Sequence, residues 1–233
     1  MRRPQRFLSL ILVLLFSACA SATPSATPPP NLRVGLSQAA GALRPALLAC
    51  IPAQAVDQIS IASVLPGAID LNDYALLIQI GEPKPLPEFA AALGAESIVV
   101  VVNAANPLRQ LSRDQLAAVF SGRVTDWADA GGSPGPIEVW IPLEGDEARS
   151  LFRASVLLGG EYRGDAHLAA DTSRTQATIA ADSGAIGLLP ASLLTETLRG
   201  IETGIEAPIL ALAAAEPDAM LLTTLACLQA QEE

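Results

Sequence analysis

The sequence predicts an α/β chain, with mixed, mostly parallel strands alternating with flanking helices. Three observations carry that expectation. Short apolar runs recur between polar or turn residues, at 74–80, 98–102 and 185–189. Runs of this length read as strands buried on both faces, which is the signature of parallel strands with helices over them. Between them lie short segments with apolar residues on one helical face, such as Leu111, Leu116, Val119 and Phe120. Finally, 51% of the residues are hydrophobic but only 4% are aromatic, so the core must be built from Ala, Leu, Ile and Val. A chain of 233 residues fits one two-lobed domain or two small ones.

The chain opens on targeting rather than fold. Arg2, Arg3 and Arg6 precede an apolar run at 7–16, followed by Ser17, Ala18 and Cys19. A basic start, a short apolar stretch and small residues before a cleavage point make a secretory signal over residues 1–18. The run is too short to span a bilayer, which takes about 20 residues. A cysteine directly after Ser-Ala resembles a bacterial lipobox, which implies lipidation at Cys19; the alternative is an ordinary signal peptide with an incidental cysteine. Residues 19–30 then form a Pro/Ser/Thr tether, too polar and proline-rich to pack.

The net charge is −10, and loss of the leader's three arginines makes it more negative. That balance argues against nucleic acid, whose phosphates need a basic face. Cys50 and Cys227 remain as a pair in an oxidising compartment, both in apolar helical surroundings. They are expected to form a disulfide; two buried free thiols are the alternative. Two cysteines and one histidine are too few for a structural metal site, and no cofactor is implied. No Ser/His/Asp arrangement with family-type spacing is present, so the chain does not read as an enzyme. His167, in a Gly-rich stretch, reads as a surface residue.

Residues 32–36 read as a first strand, 42–50 as an apolar helix, 58–64 as a second strand and 70–80 as containing a third. The segment linking the second and third strands is short, with a helix of at most 66–72. Residues 97–127 read as strand, turn, capped helix and turn. Asn106-Pro107 disfavours helix at Asn106, Ser112 and Gln115 have capping-box spacing, Ser121-Gly122 stops the helix, and Trp127 anchors the turn. Residues 137–141 form the next strand, 150–158 a helix, 175–181 a small-residue helix, and 185–189 a returning strand. Residues 190–197 read as a helix start, 207–214 as a strand and 216–231 as a final helix.

The run VVVVNAANPLRQLSRDQLAAVFSGRVTDWADAGG resembles the second-lobe entry of phosphate-binding-protein-like solute receptors of ABC importers. Asn103, Asn106, Pro107, Leu111, Gln115, Leu116, Phe120, Gly122, Trp127, Gly131 and Gly132 carry the match, and ADSGAIGL at 181–188 resembles the family's return segment. The resemblance covers residues 97–190. It implies a two-lobed periplasmic-binding-protein-like fold of type II, with residues 31–97 plus 190–233 as lobe 1, 98–189 as lobe 2, and a hinge of two crossings near Val100 and Leu188. It implies an extracytoplasmic, monomeric receptor, held on the bacterial membrane, that takes a small molecule or inorganic anion between its lobes and passes it to an ABC permease.

The family's anion motif is eroded here. Only Gly145 and Arg149 are kept; Pro142 stands where the family has an arginine, Asp146 where it has a serine, and Ala148 where it has a threonine. Asp146 and Glu147 suit a helix N-terminus, so the helix is expected to persist while binding of phosphate by the family's usual ligands is not. The candidate ligand set is Ser37, Gln38, Gly81, Gly145, Asp146, Thr172, Ser173 and Arg174, with Arg174 as a replacement cation. The alternative is a degenerate receptor serving as an envelope sensor or protein-interaction module without transport.

Overall fold

The computed structural model describes residues 31–65 and 69–231. The leader, Cys19 and the tether lie outside the described residues. So does Pro66, where the shortened helix was expected to begin; near its other end there is only a 3-10 turn, Leu71–Asp73.

The elements run in the order β1 (Leu32–Ser37), α1 (Arg44–Cys50), β2 (Ile59–Val64), β3 (Leu76–Ile80), β4 (Phe89–Asn103), α2 (Arg113–Phe120), β5 (Glu138–Pro142), α3 (Glu147–Ser155), β6 (His167–Ala169), α4 (Thr172–Ala181), β7 (Ala185–Pro190), β8 (Leu198–Ala213) and α5 (Ala219–Gln229). The strands join in the order β2-β1-β3-β8-β4-β7-β5-β6. β1 pairs in parallel with β2 and β3, and β5 with β6 and β7. β8 runs antiparallel to β3 and β4, and β4 antiparallel to β7. The fold is therefore mixed α/β with two parallel ends and an antiparallel centre.

That centre corrects the expectation that 98–102 is a parallel strand. Its apolar run reports burial on two faces, not direction: Val100 and Val102 face one core cluster, Val99 and Val101 another. The helix start expected at 190–197 is only a 3-10 turn at Ala191–Leu193, and the strand expected from 207 begins already at Leu198. Leu198, Ile201 and Ile205 are spaced like a helical face. In the sheet, Ile98 pairs with Ile205 and Val99 with Glu202, so Thr203 and Gly204 bulge out and break the two-residue alternation. Gly204 takes φ 71° there. β4 likewise begins earlier than expected, because its first half is built of small residues and contains Gly94.

Two cores flank this ribbon. One gathers Val34, Leu36, Leu47, Leu76, Ile78, Ile209, Leu221 and Leu225 under α1 and α5. The other gathers Val100, Leu116, Phe120, Trp127, Val139, Phe152, Ile186 and Ile201. β4 and β8 contribute to both. The register shifts fall at Ala92/Gly94 and Ile98/Val99, bracketing the stretch where both strands pass from one core to the other. The crossings thus lie near residues 94–98 and 205–209, not near Val100 and Leu188, both of which pair within the second lobe. Residues 198–205 belong with that lobe as well, since Ile201 and Ile205 pack in its core.

Side chains pin the crossing. Glu96, 8% exposed, accepts from the backbone N–H of Ser97 at 3.1 Å, from that of Ser192 at 3.3 Å, and from the Ser192 hydroxyl. The Thr203 hydroxyl donates to the Ile98 carbonyl. Away from the crossing, Cys50 and Cys227 form a disulfide with Cα atoms 5.6 Å apart, joining α1 to α5.

Candidate ligand-binding site

The two lobes meet where β1, β5 and β7 end and where α3 and α4 begin. Gln38 of the first lobe faces Pro142, Asp146, Ala148, Asp171, Thr172, Thr175, Leu188 and Pro190, around a cavity of about 10 Å³. That is the lower limit for a single water molecule, so the lobes are closed on each other. Leu151 of α3 packs against both cores and reaches toward Gly81. A wider groove of about 550 Å³ lies elsewhere, lined by Asn106, Trp127, residues 133–136 and 182–184. Its walls come from the second lobe alone, so it does not bring the lobes together.

Each helix at the cleft is capped by its own carboxylate. Asp146 accepts from the backbone N–H groups of Ala148 at 2.9 Å and Arg149 at 3.3 Å. Asp171 accepts from Arg174 N–H at 2.7 Å, and Thr175 Oγ1 donates to the Asp171 carbonyl at 3.4 Å. The N–H donors that would greet an anion at these helix starts are thereby partly taken. Ser37, 4% exposed, accepts from Ala40 N–H at 3.2 Å, an arrangement that turns the chain from β1 toward α1.

The remaining charge is acidic. Burial raises the Asp146 carboxyl, opposed by the Arg149 and Ala148 N–H groups and by the Arg149 charge. Burial pushes the Glu147 carboxyl up to about 7, and the Asp146 charge adds to the rise; the residue's own N–H and the Ser37 hydroxyl act against it. Glu147 Oε1 is buried with no hydrogen-bond partner among the described residues. Arg149 does not offset these groups across the cleft. It donates to the Pro142 carbonyl at 3.0 Å, pairs with Glu144 at 2.6 Å and lies over the Tyr162 ring at 5.5 Å.

Of the predicted ligand set, the structure brings Ser37, Gln38, Asp146 and Thr172 to the lobe junction. Gly81 borders it, but its N–H is taken by the Pro208 carbonyl at 2.7 Å. Gly145 is exposed at φ 88°, in the turn that delivers Asp146 to its cap position. Ser173 is exposed in the first turn of α4. Arg174 is exposed and lies 5.8 Å from the Trp140 ring centroid. The residues lining the cleft include no lysine or arginine. Sequence reasoning left out of the set Asp171 and Thr175, which line the cavity, and the neighbouring Glu147. The place of Glu147 after a cap residue marks it as a first-turn carboxylate, which is ordinarily solvated; burial against the other lobe is invisible locally.

The motif that carries the family resemblance is structural. Asn103 Nδ2 donates to the carbonyls of Ile179 and Ala180, Asn106 Nδ2 to that of Ser183, and Trp127 Nε1 to that of Gly184 at 3.1 Å. These bonds fasten the end of α4 and the start of β7. Ser112 and Gln115 form the full capping box. His167 stacks on Trp140 and meets Glu138 at 2.9 Å on the exterior.

The comparisons agree with this architecture. Residues 89–215, more than half of the chain, match the PBP superfamily domain. The phosphate-binding protein PstS of Bacillus subtilis (strain 168) is 30% identical over 130 residues, 51% of this chain and 43% of the relative, so the match spans less than half of that protein. A putative phosphate ABC transporter substrate-binding protein from Clostridium perfringens, solved with bound phosphate, superposes with a TM-score of 0.72 at 15% identity, covering 84% of this chain and 91% of that one. The regulatory domain of Synechocystis PCC6803 CcmR, in complex with 2-PG, superposes with a TM-score of 0.61 at 18% identity, covering 87% and 97%. At such identities the two structures testify to fold alone. Taken with the paired cores, the ribbon between them and the motif that fastens α4, the match over 89–215 places this chain in the PBP superfamily, with a phosphate-binding-protein-like fold of type II.

Proposed function

We propose that the protein is an extracytoplasmic solute-binding protein, lipid-anchored at Cys19, that captures a small molecule or inorganic anion between its lobes and presents it to an ABC permease as a monomer. The observation that carries the reading is the cleft itself. Two lobes joined, among the described residues, through β4 and β8 close over a junction formed by the starts of α3 and α4. Ligand sites between lobes work by stabilising the closed form through contacts that the open form lacks. Ser37, Gln38, Asp146 and Thr172 supply those contacts in this reading, with Gly81, Gly145 and Ser173 at the margins.

The chemistry of the cleft weighs against fully ionised phosphate. Two unit charges about 4 Å apart near a protein surface interact by about 4 kcal/mol, and here the nearest fixed groups are carboxyls. A thermal-shift screen with phosphate, sulfate, molybdate, amino acids and sugars tests the proposal. A ligand at about 100 times its Kd adds roughly 2.7 kcal/mol, worth a few degrees in a domain of this size. A shift with one solute names the ligand; a shift with phosphate overturns the charge argument.

A second reading has its own support. The cavity holds no more than about one water, and a regulatory domain shares the fold. In this reading the chain is a degenerate receptor acting as an envelope sensor or interaction module. It predicts no shift with any solute in the screen.

A further inference from the structure

We infer that lobe closure in this protein is coupled to uptake of a proton by Glu147. Glu147 opens α3 in the second lobe, directly after the cap residue Asp146. Closure brings it against Ser37, the buried last residue of β1 in the first lobe. There Oε1 is buried with no hydrogen-bond partner among the described residues, and the adjoining cavity has room for one water at most. A buried acceptor left unmatched destabilises the state that contains it, and does so more when its carboxyl is charged. A neutral carboxyl removes that penalty and gains a donor of its own.

Few charged groups surround it. On α3 and the turn before it stand Asp146, Arg149 and Glu144; Arg149 is committed to Glu144 and to the Pro142 carbonyl. Asp171, exposed at the start of α4, is occupied in capping that helix. The first lobe faces Glu147 with Ser37, and lines the adjoining cavity with Gln38; neither titrates. The one strong charge acting on Glu147 is the carboxylate beside it, which also favours the protonated form.

The sign follows from the two states. Opening that returns Glu147 to water restores its ordinary value of 4.5, whereas burial in the closed form raises it to about 7. Its contribution to closure is fully present below about 4.5, falls between 4.5 and 7, and levels off above that. Within the window the closed-to-open ratio drops by as much as about tenfold per pH unit. Acidification closes the cleft, and neutral pH loosens it with no ligand required. The inference rests on the reading of the cleft as one that opens and closes, not on any ligand.

Hydrogen–deuterium exchange of the full chain, followed by mass spectrometry from pH 4 to 8.5 and corrected for intrinsic exchange, tests it. Peptides covering 37–43 and 143–151 are expected to lose protection as pH rises through the window, while those covering α2 do not. Glu147→Gln mimics the neutral acid and is expected to keep protection at every pH. Asp146→Asn keeps the cap and removes the neighbouring charge; its transition is expected to move to lower pH. The second variant carries the test even where the first fails to fold. A pH-independent wild type, or a Glu147→Gln profile that follows the wild type, overturns the proton coupling. Lack of any solute in the thermal-shift screen leaves it intact, because the exchange experiment contains no ligand.

Discussion

The second lobe packs Phe120 against Phe152, with ring centroids 4.6 Å apart, and sets Tyr162 at 6.2 Å from each. The first lobe has no such group at its centre. Its core is aliphatic, from Val34 and Leu36 through Ile78 to Leu225 and Leu228, with Phe89 only partly buried at its margin, and the Cys50–Cys227 disulfide fastens its two helices. Aromatic side chains bury 150–250 Å² each, so a lobe without an aromatic cluster at its centre draws less stability per residue from packing. A covalent tie between α1 and α5 compensates by restricting the unfolded chain. The contrast extends to the cleft. The better-packed lobe delivers the carboxyls of Asp146 and Glu147 and the start of α4, whereas the first lobe offers Ser37 and Gln38. The shape of the site is set by one lobe and covered by the other.

The largest expected effect tests the packed side of this contrast. Phe152→Ala leaves a cavity in a site that is fully buried and is expected to cost about 3–5 kcal/mol, read as a lower urea midpoint. A loss below about 1 kcal/mol would show that the aromatic cluster does not support the second lobe. Replacing Cys50 and Cys227 together by serine is expected to cost about 2–4 kcal/mol. Hydrogen exchange should then rise in α1 and α5 while α2 and α4 stay protected; equal loss in both lobes would erase the distinction between them. The smallest effect concerns a purely local feature. Ser112→Ala removes the cap of α2, whose hydroxyl accepts from Gln115 N–H at 3.2 Å, and is expected to cost about 1 kcal/mol without changing the protection of 37–43.

Much of the second lobe was legible because its signals are local. Ser112 and Gln115 lie within one turn, and their reciprocal bonds follow from spacing alone. Asp146 caps α3 for the same reason. Strand direction was not legible, since an apolar run registers burial and is silent on the partner's orientation. Nor was the first half of β8, where the Thr203–Gly204 bulge gives a strand the apolar spacing of a helix. Arg174 shows the same limit at the site: its position in the first turn of α4 was readable, but its direction over Trp140 was not.

The sequence by itself determined the α/β class, the capped helices and the fastening motif of the second lobe. Those features depend on residue type and on partners a few positions away. Only the tertiary structure decided where the chain crosses between lobes, that two bulges bracket that crossing, and that Oε1 of Glu147 is buried. Burial and its electrostatic consequences depend on which distant segments meet, and a carboxylate's proton affinity is set by the water it loses when they do.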